Sequence, residues 1–195
     1  MLRAVQSTPP FGVNQYKSGN WYGPVGSYNT TGVIVSTQNR LIASSFYISK
    51  PVTITDMGFR VTTAGVASEA KAAIYDSTGT DGRPGSRIGN RATAVATTTL
   101  NTDVAFTLDS AINLEPGWYW LATVHSWATT APTILSVSTI SPFVSTTGAP
   151  SIQGTTTAGI GFVYTDITYA SGCPVTFGAA TEISVSSPLL AFKVA

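Results

Sequence analysis

Groups that ionise near neutral pH are scarce in this chain. Its 195 residues include one histidine, His125, and one cysteine, Cys173, and only 10% are charged, against roughly 25% in an ordinary soluble domain. A lone cysteine excludes an internal disulfide and fits synthesis in a reducing cytoplasm. The ten lysines and arginines are scattered rather than gathered into a stripe, and the formal net charge is +1. The electrostatic footprint of a nucleic-acid binder is therefore missing. Long apolar runs are missing too: no window approaches the ~18 residues of a spanning helix. The amino-terminal MLRAVQSTPPFG has no apolar signal core. The expectation is a protein neither exported by a conventional signal nor held in a membrane.

Threonine, serine and glycine take the place of the missing charge, while the helix formers Glu, Lys and Gln are few. Threonine suits a pleated strand and satisfies its hydroxyl locally. The chain should be almost entirely β, and its length suits one domain with one substantial core. Residues 1–31 read as an irregular amino-terminal arm, broken by Pro9, Pro10, Gly12, Gly19, Gly23, Pro24 and Gly26 and carrying Phe11, Tyr16, Trp21 and Tyr22. Aromatics in such a segment need a cover, supplied by this subunit or by a neighbour. These four are candidate contacts to other subunits or to a larger particle.

Residues 32–195 read as a β-sandwich. The stretch from Asn39 to Thr63 predicts two strands joined at Pro51, with Phe46 and Ile48 on one face. Val52 and Ile54 then give way to Met57, Phe59 and Val61 on the other parity. One extra residue near Thr55 and Asp56 is implied, a β-bulge. Further strands are expected over Glu69–Asp76, Ala92–Thr99, the alternating Val104, Phe106 and Leu108, Trp118–Ser126, Thr133–Thr139 and Gly159–Thr168. A closing strand is expected from Ile183 to Val194, with a second bulge at Pro188. Between them lie a polar loop over Asp76–Gly85 and a long Ser/Thr/Gly/Pro loop over Ser141–Thr157, the latter a candidate interface. Eight or more short strands with long crossing loops favour a single jelly-roll-like antiparallel β-sandwich.

Candidate chemistry is sparse. His125 shares a strand parity with Tyr119, Leu121 and Thr123, without a nucleophile or an orienting acid in view. Cys173 lies in SGCPV, where nothing lowers a thiol pKa. Asp76 with Asp81, and Asp103 with Asp109, are the carboxylate pairs a glycosidase would need roughly 5 to 9.5 Å apart, but loop aspartates more often cap turns. DSTGTDG lacks the spacing and the closing glutamate of a calcium loop. The sequence points to no enzyme, cofactor or metal. Aromatics leave one route to binding: Trp118, Trp120, His125 and Trp127 on or beside one strand are candidate contacts to a glycan, against the alternative that they fill core or intersubunit space.

The ordered fragments WYGP, NRLIASSFYISKPVTITDMGFRVTTAG, AKAAIYDSTGTDGRPGSRI and LEPGWYWLATV together resemble bacteriophage virion proteins of the tail-fibre, head-fibre or decoration kind. The resemblance spans about two thirds of the chain. It implies a jelly-roll-like sandwich without enzymatic activity, assembled as a homo-oligomer, often a trimer. It also implies other virion proteins as partners and a location on the virion after synthesis in a host cytoplasm. A host surface glycan is the partner implied by the alternative, a receptor-binding tail-fibre or spike module.

Overall fold

The computed structural model describes residues 15–23, 29–138, 161–183 and 186–195. Among them the regular elements are strands and a single 3-10 turn at Thr80–Gly82. The strands are β1 (Trp21–Tyr22), β2 (Asn29–Val35), β3 (Leu41–Ile48), β4 (Val52–Thr63), β5 (Glu69–Asp76), β6 (Arg87–Ala96), β7 (Thr102–Leu114), β8 (Gly117–Ser126), β9 (Thr133–Ser138), β10 (Gly161–Tyr164), β11 (Thr181–Ile183), β12 (Ser186–Pro188) and β13 (Ala191–Val194). They form two antiparallel sheets, one of seven strands and one of six.

Pairing is nested: β5 with β6, β4 with β7, β3 with β8 and β2 with β9. This places β2-β9-β4-β7 in the first sheet and β3-β8-β5-β6 in the second. The remaining short strands extend these two layers. β10 and β11 continue the second sheet beyond β3. In the first sheet β13 lies along the half of β4 that β9 does not reach, β1 lies outside β13, and β12 pairs with β9. The sheet therefore forks where β9 and β13 diverge along β4, and the Leu189 amide donates to the Leu135 carbonyl at 2.9 Å there.

The expected bulge is present. Registers of both β7 and β13 against β4 shift at Ile54 to Asp56. The Asp56 carboxylate stabilises the irregularity by accepting from Thr55 Oγ1 at 2.8 Å and Thr107 Oγ1 at 2.7 Å. The expected closing strand is corrected: its residues divide into β11 in the second sheet and β12 and β13 in the first. Pro188 has no amide hydrogen to continue a ladder, and the chain moves from β9 to β4 immediately after it. The weak strand expected at Ala92 starts earlier, at Arg87.

Two apolar clusters result. Phe46, Ile48, Ile54, Met57, Phe59, Phe106, Leu121 and Phe192 fill the space between the sheets. The opposite parity of β3, β5 and β8 forms a second cluster on the outer face of the six-stranded sheet, with Leu41, Ala43, Tyr75, Trp120 and Phe162. Phe177 and Cys173 cover it from the segment between β10 and β11. Three adjacent strands are thus apolar on both faces, a pattern that periodicity alone does not separate from a buried helix. Side chains of the sheet and of the loop after β5 pin the covering segment. Tyr75 Oη donates to the Pro174 carbonyl at 2.8 Å, Lys71 Nζ to Tyr169 at 3.2 Å, Arg83 to Ala180 at 3.2 Å, and Arg87 to Cys173.

The edge strands β6 and β7 are joined across the two sheets. Asp109 accepts from the Ala92 amide at 3.1 Å and from Asn90 Nδ2 at 3.2 Å, and lies 3.8 Å from Arg91. Residues 15–23 of the expected arm are part of the sandwich rather than outside it. Tyr22, paired opposite Phe192, stacks on that ring at 5.8 Å and meets Tyr16 edge-on at 5.0 Å.

Candidate functional site

The side chains with the greatest chemical potential are engaged in structure. His125 faces the space between the sheets, 1% exposed, its ring 5.4 Å from that of Phe59 and its Nε2 3.3 Å from Thr123 Oγ1. Burial pushes its pKa down to about 4, so the imidazole is neutral at pH 7 and out of reach of a surface ligand. Cys173 is buried against the outer cluster, and burial pushes its thiol up to about 12, with Arg87 and Lys71 pulling the other way. Thiolate chemistry is suppressed there.

The carboxylates are structural as placed. Asp76 Oδ1 closes the loop after β5 by accepting from the Thr78 amide at 3.1 Å, Thr78 Oγ1 at 2.6 Å and the Ser86 amide at 2.8 Å. Asp81 occupies the left-handed region at φ 57° in that loop. Asp103 pairs with Arg60 at 2.8 Å, and Asp109 joins β6 to β7. Among the described residues no group of three or more His, Cys, Asp or Glu side chains is placed to hold a metal.

The four aromatic and histidine candidates on β8 do not form one surface. Trp118 and Trp120 share a face, as alternation requires, yet Trp118 is 55% exposed and Trp120 only 3%. The difference is cover: Trp120 lies edge-on to Phe162 at 5.2 Å and donates Nε1 to the Gly82 carbonyl at 3.1 Å, whereas Trp118 lies beyond the covering segment. Tyr47, paired opposite Trp118, brings its ring to 5.2 Å and leaves a two-ring platform facing outward. Trp120 and His125 are withdrawn from any surface contact by burial, which corrects their place among the glycan candidates. Trp127 is half-buried at the other end of the sandwich, where its carbonyl accepts from Gln38.

That other end gathers four connections. Gly65 donates to Thr97 at 3.3 Å, Val66 to Thr130 at 3.1 Å, and Ala128 to Val66 at 3.2 Å. The loops so joined present Val66 and Leu100, 53% and 58% exposed. No family model matches this chain, and no curated protein matches it either.

Of the arm candidates, Phe11 lies outside the described residues, as does the Ser141–Thr157 loop. Tyr16 and Tyr22 pack against the main core. Trp21 faces the other way, 44% exposed, over the outer surface of the seven-stranded sheet. Here lies a feature that sequence reasoning missed, a groove of about 500 Å3 between Trp21, Gly58, Ala105, Leu135 and Leu189, with Arg60 and Asp103 also lining it. It occupies the fork between β9 and β13. Gly58 makes it: a Cβ there would stand 3.0 Å from Trp21 ring carbons and 2.8 Å from the Val104 carbonyl oxygen. A glycine within an otherwise apolar strand was the one signal available, since such glycines mark close approach of another group.

Proposed function

We propose that this chain is a jelly-roll subunit on the surface of a bacteriophage virion, a non-enzymatic structural protein that decorates or cements the particle as a homo-oligomer. The nested pairing supports the jelly roll: one ribbon, β2 to β5 against β6 to β9, is wrapped so that each connection except β5 to β6 passes between the sheets. The observation that carries the functional reading is where apolar side chains remain uncovered. Val66 and Leu100 crown one end, and Trp21 stands over a sheet face, while the ionisable groups considered above are engaged in holding the scaffold. Exposed apolar side chains on a rigid sandwich suit contacts with other proteins. Sedimentation of the purified chain should give a homo-oligomer, a trimer being favoured. Gold-labelled antibody should mark repeated positions on intact phage particles from the lysate in which the chain is made. A monomer together with unlabelled particles refutes the reading.

The Tyr47–Trp118 platform favours a second reading, a receptor-binding module that stacks on a host surface glycan. The exposed indole of Trp118, with the Tyr47 ring inclined at 59° beside it, offers a flat apolar face on which a sugar rests. Trp118→Ala should then abolish cell binding while leaving the fold intact.

A further inference from the structure

We infer that the groove beside Trp21 is a binding site for a neutral disaccharide, a proposal that deepens the saccharide-binding reading by placing a second, deeper site on the opposite sheet. Its volume of about 500 Å3 falls in the range of ligand-sized clefts, roughly 300 to 1,000 Å3. Its lining is amphipathic in the way a pyranose is. One wall is the indole of Trp21, 44% exposed and held by the pairing of Trp21 with Lys193. The indole lies close over Gly58, and Ala105, paired opposite Gly58 on β7, adds only a methyl group to the floor beside it.

The polar groups select the ligand. Arg60 and Asp103 sit opposite each other on β4 and β7, 2.8 Å apart, with side chains 44% and 80% exposed. A guanidinium with donors to spare beside a carboxylate matches the alternating donor and acceptor hydroxyls of a vicinal diol. Because the two charges cancel, the groove has no net attraction for a sialic or uronic acid. Lys193, the nearest further cation by register, is itself opposed by Asp56 at 3.9 Å. The apolar face of an equatorially substituted ring would lie on Trp21, with its hydroxyl edge toward Arg60 and Asp103.

The test titrates the full chain with cellobiose, lactose and N,N'-diacetylchitobiose, read by calorimetry and by saturation-transfer NMR, with glucuronic acid as the charged control. At least one disaccharide should bind with a Kd on the order of 1 mM or tighter. Trp21→Ala and Ala105→Leu should each weaken it about tenfold or more, while Trp118→Ala changes it less than about twofold. Ala105 is solvent-exposed, so its enlargement fills the groove without touching the core. Unchanged circular dichroism and melting of this variant separate lost binding from lost folding. Binding that survives both groove variants but fails in Trp118→Ala overturns the groove site and keeps saccharide recognition at the platform. No binding of any of the three by the unaltered chain overturns both. Groove variants that alter only the oligomer size overturn the saccharide assignment in favour of a contact between copies.

Discussion

Acid should destabilise this protein through one residue, and the size of the effect follows from where that residue sits. His125 is sealed between the sheets, its Nδ1 without a hydrogen-bond partner and its pKa lowered by burial from 6.5 to about 4. Above pH 6.5 the imidazole is neutral in both folded and unfolded chains, and stability is unaffected by it. Between those two values the unfolded chain takes up a proton that the folded chain refuses, so stability falls as pH falls. At ~1.4 kcal/mol for each pH unit the total loss is about 3 kcal/mol, levelling off below the folded value. That is a large fraction of the 5 to 15 kcal/mol that holds a typical domain together. Urea unfolding followed by tryptophan fluorescence, from about pH 7.5 down to about pH 3.5, measures it. His125→Leu should cost little at neutral pH, under about 1.5 kcal/mol, and should flatten the acid limb. The difference between the two proteins isolates His125 from the carboxylates. Parallel pH profiles for the two would refute the argument, because they would mean that burial between the sheets does not keep the His125 imidazole from taking up a proton.

The two tryptophans of one face should behave oppositely: Trp120→Ala should cost roughly 3 to 5 kcal/mol in unfolding free energy, and Trp118→Ala less than about 0.5 kcal/mol. Equal costs would contradict the cover seen over Trp120. The Cys173 thiol should react with a disulfide reagent at mildly alkaline pH only as fast as the protein opens, and rapid labelling of the native state would show that the segment between β10 and β11 does not seal it. Asp109→Ala should lower stability by about 1 kcal/mol, a figure reduced by solvent screening of a half-exposed carboxylate. Amide exchange should accelerate at Ala92, whose hydrogen it accepts, and unchanged protection there would remove the proposed link between β6 and β7.

Legibility in the sequence followed how local each cause is. Val104, Phe106 and Leu108 are buried alternately with exposed Ala105, Thr107 and Asp109, because one face of β7 meets the core and the other meets water. The parity change at Thr55 and Asp56 was equally readable, since a bulge shifts every later side chain. Burial of β8 was not: Trp118 and Trp120 are equivalent by alternation, and distant groups separate them, the Gly82 carbonyl well before them and Phe162 more than forty residues onward. The division of Ile183–Val194 between two sheets depends on which distant strand edges are free, which no local pattern states. The groove needed two such distant facts, the pairing of β1 with β13 and the fork beside β9, together with the one local signal, the bare backbone at Gly58.

The nested order of pairing has a consequence for how the chain reaches this state. Once the loop at Asp76–Gly85 brings β5 to β6, β4 and β7 are already neighbours, and the same holds outward through β3 with β8 to β2 with β9. Each step closes only two short connections, so the entropy of bringing distant segments together is spread over small increments rather than met at once. Folding should therefore zip from the middle of the chain toward its ends, with the β5–β6 hairpin formed earliest and the β2–β9 pair last. Unfolding would begin at the outermost pair, β2 with β9, while the inner ribbon of β4 to β7 stays closed.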